Sequence, residues 1–244
     1  SFIDSIAVFE EAKSSLEDNN VELDKAVSDA NSLVNGKNTA LDESLRSSLE
    51  TKISETKAVK LTEPTMAETV KDIDTQTTEM NTTDYSDVLK SLDEAYTALN
   101  NSIKQYELVN NPTESYVIKC LEKVEHVIGT SAVTEDNDPN GHLGKAGGYT
   151  ATVYFTCDWI DQSNVYGNTI IEKGTDGGGA IEVYANVEDA ESRNSYLAGF
   201  DGGLLASGSH TVVGTCVVRT SDKLAASKQK ELEAAVIEAL IKLD

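Results

Sequence analysis

The sequence predicts an α chain joined to an α+β one. An N-terminal antiparallel helical bundle covers residues 1–110, and a C-terminal α+β domain covers residues 111–244. The second domain reads in the order α-β-β-β-α-β-α around a mainly antiparallel sheet. Three observations carry this division. Only Gly36 lies in the first 111 residues, while the other 15 of 16 glycines follow Pro112. Apolar residues recur every seven positions at Phe9, Leu16, Leu23 and Ala30, the narrow seam of nearly parallel packed helices. Beyond Tyr149 the period drops to two, as in Ala151, Val153 and Phe155, which marks a strand.

The helices follow in turn. The first closes at Asn35-Gly36, glycine being the residue that tolerates the left-handed C′ conformation, and Asp18-Asn19-Asn20 is a place where it can bend. The second carries Leu41, Leu45, Leu49, Ile53 and Val59. Thr65 and Glu68 have the spacing of a capping box and open a third helix through Val70, Ile73 and Met80. The fourth runs from about Asp84 to Val109 along Leu92, Leu99 and Ile103. Asn111 as cap and Pro112 at the first position start a helix to about His126. Strands follow near 131–135, 149–157, 170–172 and 180–185, then a helix capped by Asn186. One strand over 210–219 and a helix over 226–243 complete the chain. Helices on one face of the sheet would bury these stripes.

Charge excludes several functions. The chain has 42 acidic and 20 basic residues in 244, a net charge of −22. Nucleic-acid binding needs a basic footprint, and anionic lipid headgroups would repel such a surface. The charge is shared almost evenly, with 22 acidic and 10 basic residues before Pro112 and 20 and 10 from there on. It therefore marks neither domain as the functional one. No apolar run reaches the length of a membrane span. The sequence starts at Ser1 rather than Met, so a membrane link, if any, is expected through a removed N-terminal anchor.

Two resemblances add to this reading. Leu23-x2-Ala26-Val27-x2-Ala30, the Leu41-Leu45-Leu49-Ile53 ladder and Tyr85-x2-Val88-Leu89-x2-Leu92-x2-Ala95-x3-Leu99 resemble FIVAR-type helical modules of Gram-positive surface proteins. The second half is similar to a C-terminal domain of lipid-anchored, secreted Gram-positive proteins. It shares the blocks Ala132–Gly141, Gly147–Phe155, Ile171–Asp176, Ile181–Tyr184 and Ala206–His210. The resemblances imply extracellular, cell-surface attachment, with the helical module as a spacer or adhesive repeat; the expectation built on them is a monomer whose α+β domain binds an unknown protein or glycan. They imply no reaction. The alternative is an extracellular hydrolase or a calcium-dependent enzyme module.

Local motifs point to few sites. Asp136, Asp138 and Asn140 stand at positions one, three and five before Gly141, the opening of an EF-hand-type calcium loop with His142 offering its backbone carbonyl. Position twelve is Gly147 rather than Glu, and a tight Asx/Pro turn needs no metal. Calcium is thus the one cofactor the sequence suggests. Ser207-Gly208-Ser209-His210 places hydroxyls beside an imidazole without a nucleophile-elbow motif. Cys120 lies on an apolar helix face. Cys157 and Cys216 would pair only if their strands were neighbours, and thiols are preferred. Trp159 is either an exposed binding residue or a core anchor. The run Gly174–Gly179 lacks the Gly-Lys-Ser/Thr of a phosphate loop and reads as a hairpin loop. No catalytic set emerges.

Overall fold

The computed structural model describes residues 2–203 and 208–243. An N-terminal helical bundle is followed by an α+β region with a five-stranded antiparallel sheet. The chain divides into two compact units, Ser1–Ile103 and Lys104–Asp244. The division falls upstream of Asn110 because the last helical turn before it belongs to the second unit. There the buried Val109 accepts, at its carbonyl, from the Thr215 amide at 2.9 Å and the Thr215 hydroxyl at 3.1 Å.

In the first unit, α1 (Phe2–Val34) buries Phe9, Leu16, Leu23 and Ala30 at the predicted seven-residue spacing. α2 (Ser44–Ala58), α3 (Val70–Thr82) and α4 (Ser86–Leu108) pack around it. The N-terminal half of α1 places Phe9, Ala12 and Leu16 against Ile73 and Met80 of α3. Its C-terminal half places Leu23, Val27 and Ala30 against Leu49 and Ile53 of α2 and Leu92 and Leu99 of α4. Fully burying each such side chain contributes about 1.5–3 kcal/mol.

Three local expectations change. α1 runs unbroken through Asp18-Asn19-Asn20, because Asn20 is buried and bonded. Its Nδ2 donates to the Leu61 carbonyl at 3.1 Å, and its Oδ1 accepts from the Tyr85 hydroxyl at 2.9 Å. The Tyr85 oxygen in turn accepts from the Leu61 amide at 2.8 Å. Gly36 is not among the residues with positive φ. Arg46 instead caps the end of α1, donating to the carbonyls of Val34 at 2.7 Å and Asn38 at 2.8 Å. Such donors satisfy carbonyls that a helix end leaves open. Finally, α3 is capped by Thr69, which accepts from the Asp72 amide, not by Thr65. The Gln76 side chain holds the preceding stretch extended, reaching the Ala67 amide and the Thr65 carbonyl.

The second unit opens with α5 (Glu114–Leu121), capped by Thr113 rather than Asn111. Asn111 has a φ of 50° and ties its amide to the Thr215 hydroxyl at 2.7 Å. Then come β1 (Val127–Ala132), β2 (Ala151–Cys157), α6 (Ile170–Lys173), β3 (Gly178–Val183), α7 (Val187–Ala198), β4 (His210–Val213), β5 (Cys216–Thr220) and α8 (Ala226–Leu240). The predicted strand at 170–172 is the short helix α6, because Thr169 and Glu172 complete a capping box. The predicted strand at 210–219 is a hairpin, turned at Gly214, whose φ is 57°. The run from Gly174 is a 3-10 turn joining α6 to β3, not a hairpin loop.

The sheet order is β1-β2-β3-β5-β4, antiparallel throughout. Every residue of β2, β3 and β5 is buried, which requires cover on both faces. Helices on one face, as the sequence suggested, would have left half of these residues wet. α5 and α8 cover the face of Cys216, which lies beside Cys120. The Tyr116 hydroxyl joins these two helices through the Leu240 carbonyl at 2.7 Å. α7 covers the opposite face, where Ala190 and Leu197 pack with Tyr149, Tyr184 and Val217.

Candidate functional site

The α7 side of the sheet holds a buried charge cluster. Side chains alternate across a strand, so β3 sends Ala180 and Glu182 to this face between Ile181 and Val183, which point away. The register sets Ala180 opposite Arg219 of β5, and α7 supplies Arg193. The Glu182 carboxylate is fully buried. It accepts from Arg193 Nε at 2.8 Å and Nη2 at 3.0 Å, from Arg219 Nη1 at 2.7 Å and from the Tyr184 hydroxyl at 2.9 Å. Burial pushes the Glu182 carboxyl up, but Arg193 and Arg219 outweigh it and hold the group below the usual carboxylate range. Burial and the neighbouring Glu182 raise Tyr184, which stays a donor.

The cluster is not neutral: two guanidinium groups face one carboxylate. Burying a charge without a full set of partners is expensive. Arg219 is only 7% exposed, and its Nε has no hydrogen-bond partner among the described residues.

A cleft of about 420 Å³ opens on this cluster, lined by Asn140, Tyr154, Arg193, Tyr196, Leu197 and Arg219 among others. A neighbouring hollow of about 430 Å³ shares Asn140, Arg193 and Tyr196 and continues past His142 and Tyr149. Tyr196 is 59% exposed at the rim. Its ring stands edge-on to Phe200 at 5.0 Å, with the Arg193 guanidinium 5.5 Å from its centroid. A concave, largely apolar site with a few converging polar groups is the usual form of a small-ligand pocket.

The predicted calcium residues serve a different purpose. Asp138 accepts from the amides of Asn140, His142 and Leu143 at 3.0, 2.6 and 2.8 Å, and from the Tyr149 hydroxyl. Burial raises its carboxyl, but Tyr149 and these amides prevail and hold it at about 2. The His142 carbonyl, expected as a ligand, accepts from the Lys145 amide at 3.2 Å. Asn140 turns its side-chain amide to the Tyr149 oxygen at 3.5 Å, and Asp136 is exposed. These groups fit an Asx turn that walls the cleft, and they do not fit a calcium loop. Among the described residues, no three His, Cys, Asp or Glu side chains form a metal-holding group.

The remaining motifs have structural partners. His210 places Nδ1 2.6 Å from Asn194 Oδ1 and Nε2 3.2 Å from Asp201 Oδ1. Ser209 pairs with the Thr220 hydroxyl at 2.7 Å; Ser207 lies outside the described residues. Cys157 and Cys216 are buried thiols on strands separated by β3. Burial pushes Cys157 up and Cys216 up to about 12, the opposite of an activated nucleophile. Trp159 is an anchor, its ring 4.1 Å from His126 and covered by Lys228 Nζ at 3.9 Å.

Sequence reading missed Glu182, Tyr184, Arg193 and Arg219. A signal existed: Glu182 interrupts an apolar strand between Ile181 and Val183, and Arg219 ends another after Val217-Val218. Opposite charges in two such strands point to a buried pair once the strands are neighbours.

The fold and site together define an acidic chain with a helical unit and an α+β unit that carries a cationic cleft. Comparison with family models, curated proteins and solved structures finds no match.

Proposed function

We propose that this is a non-enzymatic binding protein of the cell surface, in which the helical unit is a spacer and the α+β unit recognises a protein or glycan ligand. The cleft beside α7 carries the reading. It joins an exposed aromatic rim at Tyr196 to the arginines around the fully buried Glu182, and a site held on fixed elements can be preorganised. The side chains with catalytic potential are bonded to structural partners: His210 to Asn194 and Asp201, and Ser209 to Thr220. Support for the surface location comes from the sequence resemblances and from a net charge of −22, which suits a solvated, repulsive exterior.

The test is an array of glycans and peptides probed with the full chain and with Tyr196→Ser. The reading expects a ligand bound by the unaltered chain, lost in the variant and recovered chemically intact. Turnover of the ligand, or equal binding by both proteins, overturns it. Proteolytic shaving of intact cells of the native host is expected to remove the protein; full protection contradicts the surface location.

A further inference from the structure

The charge imbalance in the cleft indicates the chemistry of its ligand. Arg193 gives its two-pronged Nε–Nη2 edge to Glu182, whereas Arg219 gives only Nη1. Arg219 lines the cleft, and its buried Nε is unpartnered among the described residues. Two parallel N–H groups of a guanidinium match the two oxygens of a carboxylate. Leu197 and Phe200 line the same cleft with Tyr196 at its rim, an apolar wall beside Arg219.

We propose that the cleft binds a carboxylate carried on an apolar or aromatic body, with the carboxylate on the Arg219 guanidinium and the body against Leu197, Phe200 and Tyr196. One carboxylate brings the cluster to two negative charges against two positive ones. On the same count a phosphate dianion would overshoot, bringing three negative charges, Glu182 included, against the two guanidinium groups; Glu172 also stands on the cleft wall. Glu172 does not compete for Arg219, since its Oε2 accepts from the amides of Asn168 and Thr169 at 2.7 and 3.0 Å. This inference rests on the reading of the cleft as a binding site.

The experiment is an NMR titration of the full chain with phenylacetate, phenylacetamide and inorganic phosphate, followed at the Arg219 Nε–H resonance. Phenylacetate is expected to shift that resonance saturably, with the amide binding about tenfold more weakly or worse because it lacks the charge. Arg219→Lys, which keeps the charge but loses the fork, is expected to weaken phenylacetate by about tenfold. If Arg219→Lys does not fold, the Nε–H resonance of the unaltered chain decides alone. Equal binding of the amide, preference for phosphate, or an unmoved Nε–H overturns the inference. An array ligand lost in Tyr196→Ser while the Nε–H ignores phenylacetate refutes the carboxylate and leaves the binding reading standing.

Discussion

The two units carry nearly the same acidic excess but bury opposite kinds of polar group. In the helical unit the buried junction is neutral and closed: Asn20, Tyr85 and the Leu61 backbone exchange donors and acceptors among themselves. In the α+β unit it is ionic and open, with two guanidinium groups on one carboxylate and Arg219 Nε unpartnered among the described residues. Their hollows differ in the same sense. The helical unit has one of about 360 Å³ whose wall includes Glu22, Asp29 and Asp93, a lining that repels anions. The cleft beside α7 offers Arg193 and Arg219. Net charge therefore says little about where recognition lies, and the sign of what is buried says more.

The largest expected effect breaks the ionic side. Glu182→Gln leaves the buried Arg219 and the half-buried Arg193 without their counter-ion and is expected to cost about 3–5 kcal/mol. Chemical denaturation monitored by hydrogen exchange at Ile181 and Val183 would read this. A loss below about 1 kcal/mol would show that the cluster is solvated and not buried as described.

Next is the turn that walls the cleft. Asp138→Asn replaces a charged acceptor of four hydrogen bonds, at an expected cost of about 2 kcal/mol. Because the folded carboxyl sits at about 2 against an ordinary 3.8, its contribution is complete above about pH 4. Protonation removes it as pH falls towards 2. Exchange of the His142 and Leu143 amides should quicken over that window in the unaltered chain. A flat profile in that range would separate Asp138 from the stability of the turn.

The neutral side is expected to yield less. Tyr85→Phe leaves Asn20 Oδ1 and the Leu61 amide without their partner and should cost about 1–3 kcal/mol. If it cost more than Glu182→Gln, the contrast between the units would be reversed. The smallest effect is at Arg46, where Arg46→Ala removes the cap of α1 for about 1 kcal/mol. Faster exchange near Asn38, with the α1 centre unchanged, is the expected signature.

The helical unit was largely legible in the sequence because a seven-residue repeat is local information. The burial of Phe9, Leu16, Leu23 and Ala30 follows from spacing alone. Its errors lie where side chains from elsewhere replace the local signal: Arg46 caps α1, and Gln76 holds the segment that Thr65 was expected to start as a helix. The α+β unit was legible as a class, but its strand boundaries and the second covering layer were not. Whether a strand is half or fully buried depends on α7 lying across the sheet, which no single strand encodes. The cleft was hidden for the same reason. Arg193 and Arg219 stand 11 and 37 residues from Glu182 along the chain, and only the β3–β5 register and the placing of α7 across the sheet bring the three together. At the calcium motif the spacing from Asp136 to His142 is legible, but not that the amides of its own turn donate to the oxygens of Asp138.

Recognition is proposed to belong to the cleft beside α7 of the α+β unit and not to the acidic groove of the helical unit. The most direct measurement is a titration of the full chain with phenylacetate, followed at every backbone amide. Shifts are expected at Asn140, Thr175, Arg193, Tyr196 and Arg219, with Ala26, Asp29 and Leu92 unmoved. Shifts centred on Ala26, Asp29 and Leu92, with the amides of α7 silent, would contradict it.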